Sequence, residues 1–164
     1  MAADPVAVLL FLADVFERLG VVYFVGGSFA SSAYGIPRTS QDVDLVAALR
    51  AEHIEPFVAA LAGRFYAEEE AVRDAVRRRA CFNVIDLASL VKADVFVIEL
   101  AAAGAAEAAR RRRVPVSSAP ERFVFMASPE DTVLNKLRWP RLGGGVAEHQ
   151  WNDLVGVLKV QGRA

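Results

Sequence analysis

The sequence predicts an α/β (α+β) fold from three observations: apolar, β-branched runs of strand length, helical stretches with apolar residues three or four apart between them, and glycine or proline at most junctions. The first element is a helix. In "MAADPVAVLLFLADVFERLG", Asp4 caps, Pro5 takes the first helical position, and Val6, Leu9, Leu10, Ala13 and Phe16 form an apolar stripe that Gly20 ends. "VVYFV", Val21 to Val25, reads as a strand that Gly26 and Gly27 break before a short helix, "SFASSAY". Gly35 and Pro37 stop that helix. "DVDLVA", Asp42 to Ala47, is the next strand, with Val43 and Leu45 alternating against two acids on the other face.

"EHIEPFVAALA", Glu52 to Ala62, is helical, with Pro56 near its first turn or at a kink. "EEEAVRDAVRRR" follows, its acids in the first turn and arginines in the last, as a helix dipole favours. "CFNVIDL" and "KADVFVIEL" read as a hairpin turning through Ala88 to Val91. "AGAAEAARRRR" is a predicted helix and "RFVFMAS" a strand. "SPEDTVLNKLRW" is a helix with Ser128 as cap, Pro129 at its first position, Asp131 closing a capping-box-like pair and Pro140 as its end. "RLGGGVAEHQ" reads as a loop, and "QWNDLVGVLKV" as a closing helix with Trp151, Leu154, Val155 and Leu158 toward the core.

The 164 residues suit one compact unit, here divided into a core, 1–126, and a helical segment packed on it, 127–164. At 54% hydrophobic and 24% charged, most of the chain should fold. A formal net charge of -1 supplies no global pull toward nucleic acid or anionic membrane, so phosphate recognition must be local. The single cysteine, Cys81, excludes an intrachain disulfide, and with only His53 and His149 beside it no cysteine and histidine set for zinc exists. A cytoplasmic protein is expected. The opening helix lacks a basic leader and carries Asp14, Glu17 and Arg18, so neither a secretion signal nor a membrane span is expected.

Asp42 and Asp44 stand two positions apart on a strand, so they leave one face about 6–7 Å apart at the backbone, near enough to share one cation. Two carboxylates about 4 Å apart repel by roughly 4 kcal/mol at an effective dielectric near 20 and by about 1 in water. Metal or open water therefore explains the pair, and an exposed solubilising strand is the ordinary alternative. Gly26 and Gly27 sit between a strand and a helix start, where missing side chains let an anion reach backbone N–H groups, and Ser28 adds a hydroxyl. A plain turn needing glycine for its angles is the competing account.

Together, the apolar strand, "GGS", the short helix and "DVD" on the next strand resemble the nucleotidyltransferase superfold shared by DNA polymerase beta, kanamycin nucleotidyltransferase and the minimal bacterial nucleotidyltransferases. "GIPRTSQDVDLV", "FNVIDLASLVKADVFVIEL", "SPEDTVLNKLRW" and "GGGVAEHQWNDLVGVLKVQG" look like a set of small bacterial nucleotidyltransferase-like proteins, and "DTVLNK" is similar to a motif of the AbiEii-type abortive-infection toxins. The resemblance implies a mixed β-sheet flanked by helices with a short helical C-terminal region. It also implies a further helix beyond "VLKVQG". In function it implies transfer of a nucleoside monophosphate from an NTP to an acceptor hydroxyl, with release of pyrophosphate.

Asp42 and Asp44 would then hold Mg²⁺, or Mn²⁺, against the triphosphate, Gly26, Gly27 and Ser28 would contact its outer phosphates, and Asp94 in "KADVFV" would be the third carboxylate, sharing the second metal and helping deprotonate the acceptor. Asp86 lies in "NVIDLAS", where the resemblance places no acid. Arg38, Lys92 and Lys136 are the candidate charge-balancing groups; each is equally a surface cation, and Lys136 a snorkelling one. The acceptor, whether RNA, protein or small molecule, stays open. Arg77 to Arg79 and Arg110 to Arg113 fall near expected helix ends, where cations need no ligand, so RNA binding does not follow from them. "LGGGV" is no P-loop, because neither the lysine nor the feeding strand is there. Two other classes share these residues: a non-catalytic nucleotide- or protein-binding module, and one half of a toxin–antitoxin pair with its partner encoded next door.

Overall fold

The structure, a computed structural model, describes residues 4–101, 103–143 and 148–162. Helix α1, Pro5–Arg18, starts where Asp4 accepts a hydrogen bond from the Ala7 N–H at 3.1 Å. Its buried face is Val8, Leu9, Leu12, Ala13, Val15 and Phe16, so the stripe lies rotated from the expected one, with Val6 and Leu10 only half-buried. A helix apolar on more than one side does not fix its inward face by spacing alone.

The strands are β1 (Tyr23–Val25), β2 (Asp42–Ala47), β3 (Phe65–Tyr66), β4 (Cys81–Asp86), β5 (Lys92–Val97), β6 (Arg112–Ser118) and β7 (Glu121–Met126). Among the described residues they form one seven-stranded mixed sheet in the order β3-β4-β5-β2-β1-β7-β6. β2 runs parallel to β5 and antiparallel to β1, while β4 and β5 form the expected antiparallel hairpin. Between and after them come α2 (Gly27–Tyr34), α3 (Ala51–Leu61), α4 (Glu69–Arg78), α5 (Ala103–Arg110), α6 (Pro129–Gly143) and α7 (Glu148–Gln161).

Alternation along the central strands gives the sheet two unlike faces. Val43, Leu45 and Ala47 of β2 and Ala93, Val95 and Val97 of β5 are buried in the main core with α1, α3 and α4. There Phe57 stacks on Phe16 with centroids 5.4 Å apart and meets Phe82 edge-on at 5.8 Å. The opposite face carries Asp42, Asp44, Val46, Lys92, Asp94 and Phe96. Among the described residues, no helix is long and apolar enough to cross a membrane.

The structure corrects the sequence reading at several elements. β3 and β6 are strands that it lacks, and Arg112 and Arg113 open β6 rather than closing α5. β6 is an edge strand, which tolerates Pro115 and a register shift after it. The arginines of the 110–113 run are held locally: Arg111 lies over Phe125 at 4.5 Å, Arg113 over Phe123 at 4.1 Å, and Arg110 pairs with Asp131 at 2.6 Å. Pro56 lies inside α3 rather than at its start, and α6 continues past Pro140 to Gly143; a proline forfeits one helical hydrogen bond without forbidding the next turn. The expected loop over Arg141 to Gln150 is thereby shortened at both ends, and its middle, 144–147, lies outside the described residues. On α7 the buried residues are Asp153, Leu154, Gly156 and Val157, while Trp151 and Leu158 are exposed. His53 caps α3, its Nδ1 accepting from the Arg50 N–H at 3.1 Å.

Helices α2 and α7 meet through glycine. A Cβ on Gly35 would stand 2.7 Å from the Val157 nitrogen and 2.8 Å from the Ser31 carbonyl oxygen, both backbone atoms that cannot turn aside. Gly35→Ala is expected to lower stability by about 1–3 kcal/mol in thermal or urea unfolding. An unchanged melting curve would show that this helix contact yields.

Candidate active site

Two cross-strand rows build the site. In one, Asp44 of β2 stands opposite Asp94 of β5, which stands opposite Asn83 of β4; in the next, Asp42 stands opposite Lys92. Asp86, by contrast, belongs to the buried side of β4, where Arg64 reaches it at 3.3 Å and the Ser89 N–H at 3.0 Å. Asp42, Asp44 and Asp94 therefore share a face that Asp86 does not.

Beside the acids lies the glycine turn. The Gly26 N–H donates to the Asp44 carbonyl at 3.0 Å, tying the start of α2 to β2. Gly27 has φ +55°, and a Cβ there would fall 1.9 Å from the Asp44 Oδ2. Glycine is thus required both by the left-handed backbone and by the carboxylate packed against it. Ser28, buried, donates to the Ser40 hydroxyl at 2.6 Å, and Ser40 donates to the Asp42 carbonyl at 3.0 Å, which fixes the loop leading into β2.

Burial, then the neighbouring Asp94 charge, hold the Asp44 carboxyl above the usual carboxylate range; Asp42 adds to this, and Lys136 and Lys92 partly offset it. Asp94 accepts from the Asn83 amide and pairs with Lys92 at 3.2 Å. That pairing raises the Lys92 ammonium above its ordinary range. Cys81 of β4 stands opposite Phe96, one row beyond Asn83, and burial with the Asp94 and Asp44 charges pushes its thiol up.

The cations gather around an acid that sequence reasoning did not single out. Asp153 of α7 accepts from Arg38 Nε and Nη2 at 2.7 and 2.9 Å and from Lys136 Nζ at 3.0 Å. Its side chain is 4% exposed, and Lys136 is 10% exposed. Burial alone would raise the Asp153 carboxyl, but hydrogen bonds from Arg38 and Lys136 outweigh it and hold the group below the usual range.

The acids, the glycine turn and the two cations wall a cleft of about 610 Å³. Gly26, Gly27, Ser28, Arg38, Asp42, Asp44, Asp94 and Lys136 all line it, so of the sequence-predicted residues only Lys92 stands off the wall, as the partner of Asp94. Ser40, Asn135 and Arg138 join the lining, and Phe24, Val46 and Phe96, one cross-strand row beyond Asp44 and Asp94, floor its apolar end. Carboxylate oxygens are the donors Mg²⁺ and Mn²⁺ prefer, and Gly27 keeps one of these carboxylates clear of any side chain, so the donor set fits such an ion. Among the described residues, no group of three or more His, Cys, Asp or Glu side chains converges tightly enough to hold an ion as it stands. Asn83 and Lys92 engage the Asp94 oxygens instead.

The whole architecture has counterparts among solved structures. The lincosamide antibiotic adenylyltransferase LnuA, bound to lincomycin, superposes with a TM-score of 0.63 over 98% of this chain and 99% of its own, at 12% identity. The antibiotic-resistance factor ANT(2'')-Ia gives 0.64 over 99% of this chain and 87% of its own, at 15% identity. The chain has the nucleotidyltransferase fold. A nucleotidyltransferase-like protein from Paracoccidioides brasiliensis shares that fold, with a TM-score of 0.60 over 97% of this chain and 78% of its own, at 15% identity. No family model matches the chain. No curated protein matches it at a significant level. Within the fold, the two parallel central strands carry the acids and the β1–α2 turn carries the glycines, and both line the same cleft.

Proposed function

We propose that the protein transfers a nucleoside monophosphate from an NTP to an acceptor hydroxyl and releases pyrophosphate. The observation that carries this reading is the meeting of Asp42, Asp44 and Asp94 on one sheet face against the Gly27 turn. Asp42 and Asp44 would hold Mg²⁺ or Mn²⁺, with Asp94 as the third ligand; the ion supplies charge neutralisation at the reacting phosphate. Backbone N–H groups at Gly27 and Ser28 and the start of α2 bind the outer phosphates. Arg38 and Lys136 offset the charge that remains, and Lys92 holds Asp94 until the site fills. Asp94 accepts the acceptor's hydroxyl proton as the new oxygen–phosphorus bond forms, and the α–β phosphoanhydride bond breaks with its electron pair leaving on pyrophosphate.

The acceptor class to screen first is a hydroxylated small molecule of antibiotic type. LnuA is a lincosamide adenylyltransferase, and ANT(2'')-Ia has been crystallised with adenylyl-2''-tobramycin. The arginines of the 110–113 run support the same preference over RNA, since they meet Asp131, Phe125, Glu130 and Phe123 respectively.

The test is incubation of the protein with each NTP, labelled in turn at the α- and γ-phosphorus, with Mg²⁺ or Mn²⁺ and either cell extract or an aminoglycoside and lincosamide panel. Alpha label in a new product and gamma label in pyrophosphate are expected. Saturable binding with no labelled product would make the protein a binding module. Growth arrest on expression, relieved by a neighbouring gene product, would put the same transfer in a two-gene toxin system.

A further inference from the structure

We propose that Asp153 is the positioning residue of a polyphosphate clamp: from behind the cleft wall it holds Arg38 and Lys136 so that both cations face the outer phosphates of the nucleotide. The inference deepens the function proposed above and takes the NTP from it. Three distant parts of the chain meet at this carboxylate: the loop after α2, α6 and α7. Arg38 and Lys136 line the cleft, while Asp153 does not.

An acid on the buried side of a helix, between the core and a cleft, is costly unless paired and hydrogen-bonded. Asp153 is fully engaged, with three charge-assisted bonds from two cations. The reverse also holds. Two cations side by side repel unless an anion lies between them, so Asp153 lets Arg38 and Lys136 stand together at one spot. The trio keeps one net positive charge, directed at the cleft. Arg38 spends its Nε and Nη2 edge on Asp153, so the Nη1 donors lie on the other edge, and Lys136 spends one of three donors. Two long side chains are thereby fixed before the ligand arrives, which removes part of the ordering cost from binding. Gly27 and Ser28 line the same cleft, so backbone donors and the clamp address one anion from two sides.

Inorganic tripolyphosphate with Mg²⁺, titrated calorimetrically into the full chain, tests the clamp without any transfer reaction. Asp153→Asn and Lys136→Met are each expected to weaken its binding about tenfold, the effect of losing one charge-assisted contact. Their combination is expected to lose about thirtyfold or less, well short of the hundredfold product, because Asp153 acts through Lys136. Losses that multiply would make Asp153 a general structural residue and overturn the proposal. So would a wild-type protein that does not bind tripolyphosphate. Should Asp153→Asn fail to fold by circular dichroism, Arg38→Gln and Lys136→Met decide: both must weaken tripolyphosphate binding, and wild-type binding by either overturns the clamp. Tripolyphosphate behaviour as expected with no labelled transfer product would leave the clamp standing and sink only the transferase reading.

Discussion

Replacing Asp44 by asparagine is expected to remove nucleotidyl transfer while making the protein more stable. In the proposed reaction, loss of a carboxylate that would hold the metal costs about 4 kcal/mol of transition-state stabilisation or more, about a thousandfold in rate. Stability moves the other way because the Asp44 carboxyl is held above its ordinary range by burial and by Asp94 and Asp42. The folded chain therefore binds this proton more tightly than the unfolded chain. Below the unfolded carboxylate range, near about pH 4, both states are protonated and nothing is lost. As pH rises through the window up to the folded value, the unfolded state sheds its proton first and wild-type stability falls. Asp44→Asn escapes that fall, so the two proteins melt alike in acid and diverge toward neutrality. The gain reads out as a higher melting temperature for the variant at neutral pH. Mg²⁺ closes the gap by stabilising the wild type alone. Melts across pH with and without Mg²⁺, alongside transfer assays, check both halves; a variant that melts below wild type at neutral pH, or still transfers, contradicts the account.

Gly27→Ala is expected to cripple transfer from a position that holds no side chain at all. Its Cβ would land 1.9 Å from the Asp44 Oδ2 and 2.6 Å from the carboxyl carbon, so the carboxylate must swing away. A displacement near 1 Å at a reacting centre costs about a hundredfold. The backbone adds its own penalty of about 1–2 kcal/mol, since alanine is strained at φ +55°. Gly63→Ala separates the two effects. Gly63 has φ +82° with nothing within 4 Å of an added Cβ, so it carries strain without contact. Both variants should lose stability in urea unfolding, Gly27→Ala the more because contact adds to strain, and only Gly27→Ala should lose transfer. Equal activity in the two would show that the Asp44 carboxylate moves at no cost.

Much of this site is legible locally. β2, Asp42–Ala47, begins where the alternation of Asp42, Val43, Asp44 and Leu45 does, because a period of two needs only neighbouring residues to declare itself. The glycine turn follows from a short motif between β1 and α2, whereas Asp94 is singled out only by the family resemblance, since β5 joins β2 across the sheet and not along the chain. β6 is not legible that way, since its arginines and proline imitate a helix end and loop, and only their contacts with Phe123 and Phe125 on β7 reveal a strand. Asp153 is harder still. Its partners lie 115 and 17 residues away, and nothing in "WNDLVG" separates an anchoring acid from a surface one except that it shares the buried side of α7 with Leu154 and Val157. Trp151 misleads in the same helix, being large and apolar yet exposed. The expected Lys136 alternatives, surface cation or snorkelling stem, give way to a nearly buried ammonium bonded to that acid.

The two unlike faces of β2 have a mechanical corollary. Sliding this strand by a single residue would turn Asp42 and Asp44 into the apolar interior and drive Val43 and Leu45 out into water, an error far costlier than the misalignment itself. Oil on one side thus acts as a ratchet for the chemistry on the other. Distant substitutions that silence this protein yet leave it folded should do so by tilting helices α2, α6 and α7 around a fixed strand pair.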